Sequence, residues 1–154
     1  MVINTRKSSC LRIGPRNNVS CLPVSLSAGI VIAWVNEMRY LGIFIVRSRI
    51  FKCSLEHAKK AFYRAANAIF AKIGRVASEE VTLQLIKSKC LPVLLYGFEA
   101  CHLTKSDLQS FAFVVNRFFM KLFAFESVET VKYCQEYFAF SLPNALWPKR
   151  VSKF

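Results

Sequence analysis

Asp107 is the one aspartate among the nine acids of this 154-residue chain, and His57 and His102 are its two histidines. Phosphoryl transfer by two metal ions needs paired carboxylates. Asp107 has no such neighbour in the sequence and stands at the start of a helical pattern. Neither histidine is spaced with a close carboxylate pair, so each reads as a surface residue or cap rather than a general base. The cysteines at 10, 21, 53, 90, 101 and 134 contain no C-x-x-C clip, which argues against zinc. Reduced and mostly buried thiols are the default reading. A P-loop and a G-x-G-x-x-G are both absent. No catalytic set is complete, and no metal or cofactor is expected in this chain.

What the residues do offer is positive charge. The formal net charge is +13, and it is unevenly spread. Residues 1–46 contribute +4, residues 47–76 contribute +7, residues 77–146 contribute −1 and the last eight +3. The excess falls on Arg47, Arg49, Lys52, Lys59, Lys60, Arg64, Lys72 and Arg75. A cluster of that kind points to a polyanionic partner.

The elements that must position these cations can be read from periodicity. Hydrophobic residues make up 54% of the chain, so a packed core is expected. Short strands are expected at Leu11–Ile13, Val19–Leu26 and Ile30–Val35, with a turn at Ser27-Ala28-Gly29. Glu37–Arg39 reads as a turn into a strand over Tyr40–Val46. Gly42 inside that run marks a bulge or a close backbone approach. Residues 17–36 are uncharged over a length that could span a bilayer, but their Asn, Ser, Pro and Gly content favours strand, turn, strand. No membrane association is expected from them.

From Ser54 the period changes to helical. Leu55, Ala58, Phe62, Ala65, Ala66, Ile69, Phe70 and Ile73 form one apolar stripe, with Lys60, Arg64, Asn67 and Arg75 on the other side, and Gly74 as a stop. Ser78-Glu79-Glu80 opens a second helix, which Pro92 should kink or break. Thr104-x-x-Asp107 is a capping box for a helix to about Phe125 with an aromatic stripe, and a shorter helix runs from Val128 to Phe138. Pro143 and Pro148 bracket the end, before a basic tail at Lys149-Arg150. The fold class is therefore α+β, divided into residues 1–46 with strands and residues 47–154 with helices.

Three stretches carry a family resemblance. Residues 34–43, Trp-Val-Asn-Glu-Met-Arg-Tyr-Leu-Gly-Ile, resemble the segment that closes the palm and leads into the thumb of non-LTR (LINE-type) retrotransposon reverse transcriptases. Asn4-Thr5-Arg6-Lys7-Ser8 is similar to their N-x-x-K-S/T element. Residues 77–81 and 89–101 resemble their thumb and post-thumb helices. The resemblance implies a carboxy-terminal palm and thumb fragment of an RNA-directed DNA polymerase, a chain truncated at its start and at its end. It implies Lys7 as a nucleotide-proximal lysine, Tyr40, Leu41 and Gly42 as support for the primer 3′ end, and helix 54–74 along the template–primer duplex. The partners implied are RNA or DNA template–primer and the missing palm and fingers, in the cytoplasm or nucleus. The intact parent enzyme would use Mg2+, but the chain alone, without the catalytic aspartate pair, is expected to be inactive. The alternative is a small basic helical module docking on an anionic membrane or a protein partner.

Overall fold

Two residues with positive φ decide the shape of the N-terminal strands. Leu41 has φ 47° and Gly42 has φ 88°, the requirement for a two-residue type I′ hairpin turn. In the computed structural model, which describes residues 3–4, 6–26, 29–73 and 76–153, they join β3 (Glu37–Tyr40) to β4 (Ile43–Val46). The pairing is antiparallel, from Glu37 opposite Val46 to Tyr40 opposite Ile43. This corrects two expectations. Glu37–Arg39 is strand rather than turn, and the run Tyr40–Val46 is not one strand but a strand end, a turn and a second strand. Arg39 lies over the ring of its cross-strand partner Phe44 at 5.9 Å, a cation–π contact that fixes register.

The preceding strands are shorter than their β-branched composition suggests. β1 (Val24–Ser25) and β2 (Val31–Ile32) form a second antiparallel pair. Gly29 has φ 72° and donates to the Leu26 carbonyl between them; Ser27 and Ala28, the other residues of the expected turn, lie outside the described residues. The segment Leu11–Ile13 forms no strand. Ile13 at its end and Cys10 just before it each make one isolated parallel bridge, Cys10 with Trp34 and Ile13 with Ser48. Short pairing of this kind follows from a thin core. Among the described residues of the first unit only Ile32 and Cys53 are fully buried, while Leu22, Val31, Leu41 and Ile50 are more than half exposed.

The chain falls into two compact units, Met1–Ser54 and Leu55–Phe154. The division lies eight residues beyond the boundary expected at 46, because the connector folds back on the strands. Arg47 donates from its backbone to the Asn36 carbonyl, and from its guanidinium to the Asn17 carbonyl and to Asn36 Oδ1. The Cys53 backbone pairs with Ile45 at an isolated antiparallel bridge, and its sulfur is disulfide-bonded rather than the reduced thiol expected.

The second unit is helical. α1 (Leu55–Ile73) matches the expected helix closely, although Gly74 and Arg75 lie outside the described residues. α2 (Glu79–Leu85) is capped by Ser78, whose hydroxyl accepts from the Val81 N–H. It runs into a π-turn at Ile86–Cys90 and then α3 (Leu91–Leu95). Pro92 therefore does not break the helix; it sits in the first turn of α3, immediately after the wide turn. α4 (Lys105–Phe123) begins with the complete capping box, Asp107 N–H to Thr104 Oγ1 at 3.2 Å and Thr104 N–H to Asp107 Oδ2 at 2.9 Å. α5 (Val128–Tyr137) and α6 (Pro143–Val151) complete the unit. Pro148 lies inside α6, so the expected tail is helix, and Arg150 is tied to Glu99 at 2.6 Å. The architecture is α+β.

The core of this unit is aromatic. Phe62 meets Phe118 edge-on, Phe98 meets Phe111, and Phe119 meets Phe140 at 4.9 Å between ring centres. Cys90 is fully buried against this core, and burial pushes its thiol up to about 11. A folded-state pKa above the ordinary 9.0 means stability is fully present below pH 9 and is lost as pH rises towards 11. The urea midpoint is accordingly expected to fall between pH 8.5 and about 10.5. Cys90→Ala should flatten that fall, and an equally steep profile in the variant would assign it to other groups.

Candidate nucleic-acid interface

The apolar stripe of α1 is buried through Phe62 and Ala66, which leaves a continuous outer row of Glu56, Lys60, Arg64, Asn67, Ala68, Ala71 and Lys72. Lys60, Arg64 and Lys72 stand at four- and eight-residue intervals on this row. With a rise of 1.5 Å per residue they span about 18 Å, a length of duplex that carries about ten phosphates. Among the described residues none of the three makes a salt bridge. Lys59 differs: it is bound to Glu56 at 2.8 Å and only 19% of its side chain is exposed. That bond holds the Glu56 carboxyl below its usual range.

The remaining expected cations divide by environment. Arg49 and Lys52 are exposed. Arg47 is half-buried and uses its guanidinium on Asn17 and Asn36, so its first role is to close the loops of its own unit. Arg75 lies outside the described residues. Lys7 is exposed in a turn whose N–H reaches the Asn4 carbonyl.

Tyr40, Leu41 and Gly42 are brought together at the exposed tip of the β3–β4 hairpin, with Tyr40 58% and Leu41 74% exposed. A leucine in left-handed conformation is unfavourable by roughly 1 kcal/mol or more, and Asn is the usual occupant before Gly in this turn. Leu41→Asn is therefore expected to raise stability by about 1 kcal/mol, read as a higher urea midpoint. A midpoint that stays level or drops would mean that the leucine side chain is held in place by contacts of its own.

Sequence reasoning missed two cations. Arg117 and Lys121 lie one turn apart on the outer row of α4, with Lys105, Gln109 and Phe113. Lys121 Nζ donates to Asn67 Oδ1 at 2.9 Å and lies 5.8 Å from the Phe70 ring centre. Arg117 acts on Tyr63: burial pushes the Tyr63 phenol up, and the nearby guanidinium opposes that rise. The basic surface of α1 thus continues onto α4. The available signal was the i, i+4 spacing of Arg117 and Lys121 on a row whose opposite side is aromatic.

Among the described residues no group of three or more His, Cys, Asp or Glu side chains is placed to hold a metal ion. No helix among them is long and apolar enough to cross a membrane. Asp107 serves as the capping partner of Thr104. No protein-family model matches the chain, and no curated protein and no solved structure matches it.

Proposed function

We propose that the chain binds a template–primer duplex through the outer face of α1, as the palm-end and thumb portion of an RNA-directed DNA polymerase of the non-LTR retrotransposon type. The observation that carries the reading is the row Lys60, Arg64 and Lys72, exposed and without salt bridges among the described residues. A duplex presents a regular array of phosphates, and contacts to them supply affinity without reading base sequence. The hairpin tip supports the same reading: its exposed Tyr40 and Leu41 side chains are suited to contacts with the primer end. The thin core of the first unit and its exposed apolar side chains suit an element that packs against further palm strands. The polymerase chemistry and its Mg2+ belong to the intact enzyme.

Binding of labelled RNA–DNA duplex across a salt series tests the proposal. The expected result is steeply salt-dependent and sequence-indifferent affinity. A flat salt dependence, or binding to anionic vesicles in place of duplex, would remove it in favour of the membrane-docking alternative.

A further inference from the structure

The groove beside α1 differs in kind from the open basic row. It is a concavity of about 650 Å³ lined by Tyr63, Arg117, Met120, Lys121, Phe125 and Glu126. From these residues we infer a binding site for one unstacked nucleotide of a single-stranded nucleic acid. The inference rests on the nucleic-acid reading above and assigns that surface a second ligand form.

Three features carry it. First, Tyr63 and Phe125 are half-buried aromatic side chains that line the groove, and Tyr63 is itself fixed edge-on against Phe62 at 5.9 Å. A flat base can stack on a held ring, and each such contact contributes about 1–3 kcal/mol. A duplex keeps its bases inside and could not use it. Second, the cations are placed in advance. Lys121 is oriented by Asn67 and Phe70, with two of its three N–H donors left over from the Asn67 bond. Arg117 is one turn away on α4 and lines the same groove as Tyr63. Two cations about 6 Å apart along the helix suit the phosphates that flank one base. Third, Glu126 lines the same groove. A carboxylate would oppose a bare phosphate or an anionic lipid headgroup, but it can accept from the exocyclic amine of adenine, cytosine or guanine. Uracil has no such amine. Aromatic walls, two cations and one acceptor together match a nucleotide better than an isolated anion.

The test uses the whole chain with a fluorescein-labelled 12-nucleotide RNA, either single-stranded or annealed to its complement, and anisotropy as readout. Tyr63→Leu combined with Arg117→Ala is expected to weaken single-strand binding at least tenfold and duplex binding less than threefold. Tyr63→Phe, which keeps the ring, should bind the single strand within about twofold of the native chain, which separates stacking from misfolding. Glu126→Gln should reduce the preference for A- and C-containing strands over oligo-U. Equal losses on both RNA forms, or retention of single-strand affinity in the double variant, would overturn the groove assignment. Duplex binding by the native chain with no single-strand binding would overturn the groove and leave the duplex reading standing. Failure of both RNA forms alongside binding to anionic vesicles would overturn both.

Discussion

Lys60→Glu combined with Arg64→Glu is expected to weaken duplex binding about a hundredfold at 0.1 M salt. Each phosphate that a cation neutralises contributes about 0.9 to the salt slope, which at that ionic strength corresponds to about 1.2 kcal/mol. Two such cations account for about 2.4 kcal/mol, or roughly sixtyfold, and the reversed charges add repulsion. The slope of log K against log salt should become shallower by about 1.8. Both side chains lie on the outer row of α1, away from Phe62 and Ala66, so the melting temperature should change little. Lys59→Glu is the informative control. Lys59 is already bound to Glu56, so its effect on affinity should be well below that of Lys60. Unchanged duplex affinity in the double variant would move the interface away from α1.

The second large effect concerns stability. Phe119 is fully buried, meets Phe140 edge-on and stacks on Phe123 with ring centres 6.0 Å apart. Truncation removes a large side chain from a site with little freedom to collapse. Phe119→Ala is expected to cost about 3–5 kcal/mol. That is a large fraction of the 5–15 kcal/mol typical of a whole domain. For a unit of this size the melting temperature should fall by roughly 15–30 °C. Phe113 lies on the same helix but is 61% exposed, so Phe113→Ala should stay within about 0.5 kcal/mol of the native chain. Comparable losses for both would mean that the outer row of α4 is covered, which would also bear on access to the groove beside it.

The contrast between these two phenylalanines shows what the sequence made legible. The α1 stripe, the Thr104–Asp107 box and the aromatic face of α4 follow local rules, since the residues that specify them lie within one or two turns of each other. The order of strands before helices was legible for the same reason. The hairpin turn was not. Leu-Gly lacks the Asn or Asp that usually announces a type I′ turn, so the local pattern marks Gly42 as a bulge and favours a turn four residues early, at Glu37–Arg39. The unit boundary at Ser54 depends on Arg47 reaching Asn17, a contact across 30 residues that no local pattern records.

The basic interface was legible in part. The charge excess over residues 47–76 points to α1, but residues 77–146 sum to −1 and conceal Arg117 and Lys121. Their partners Tyr63 and Asn67 lie 54 residues away, so only packing of α1 against α4 brings them together. Counting also credited Arg47 and Lys59, whose charged groups are engaged within their own units. A net charge can identify the class of partner, but it does not tell an available cation from one already occupied.

Pro92 and the wide turn before it work as a matched pair. The buried positions Thr82, Leu83, Ile86, Cys90, Leu91, Leu94 and Leu95 drift round the axis when a uniform helix is assumed at about 100° per residue. They fall back into one line if a single residue within Ile86–Cys90 is left uncounted. The segment thus carries one residue more than its phase needs, and the π-turn absorbs it. Removing Ser88, which is exposed within that turn, would keep every core side chain on the inner line. It would also press the Pro92 ring against the carbonyl one turn earlier, at a cost of about 3 kcal/mol. Deletion together with Pro92→Ala would restore a plain helix at little cost, so a length change and a ring at two different positions form one structural unit.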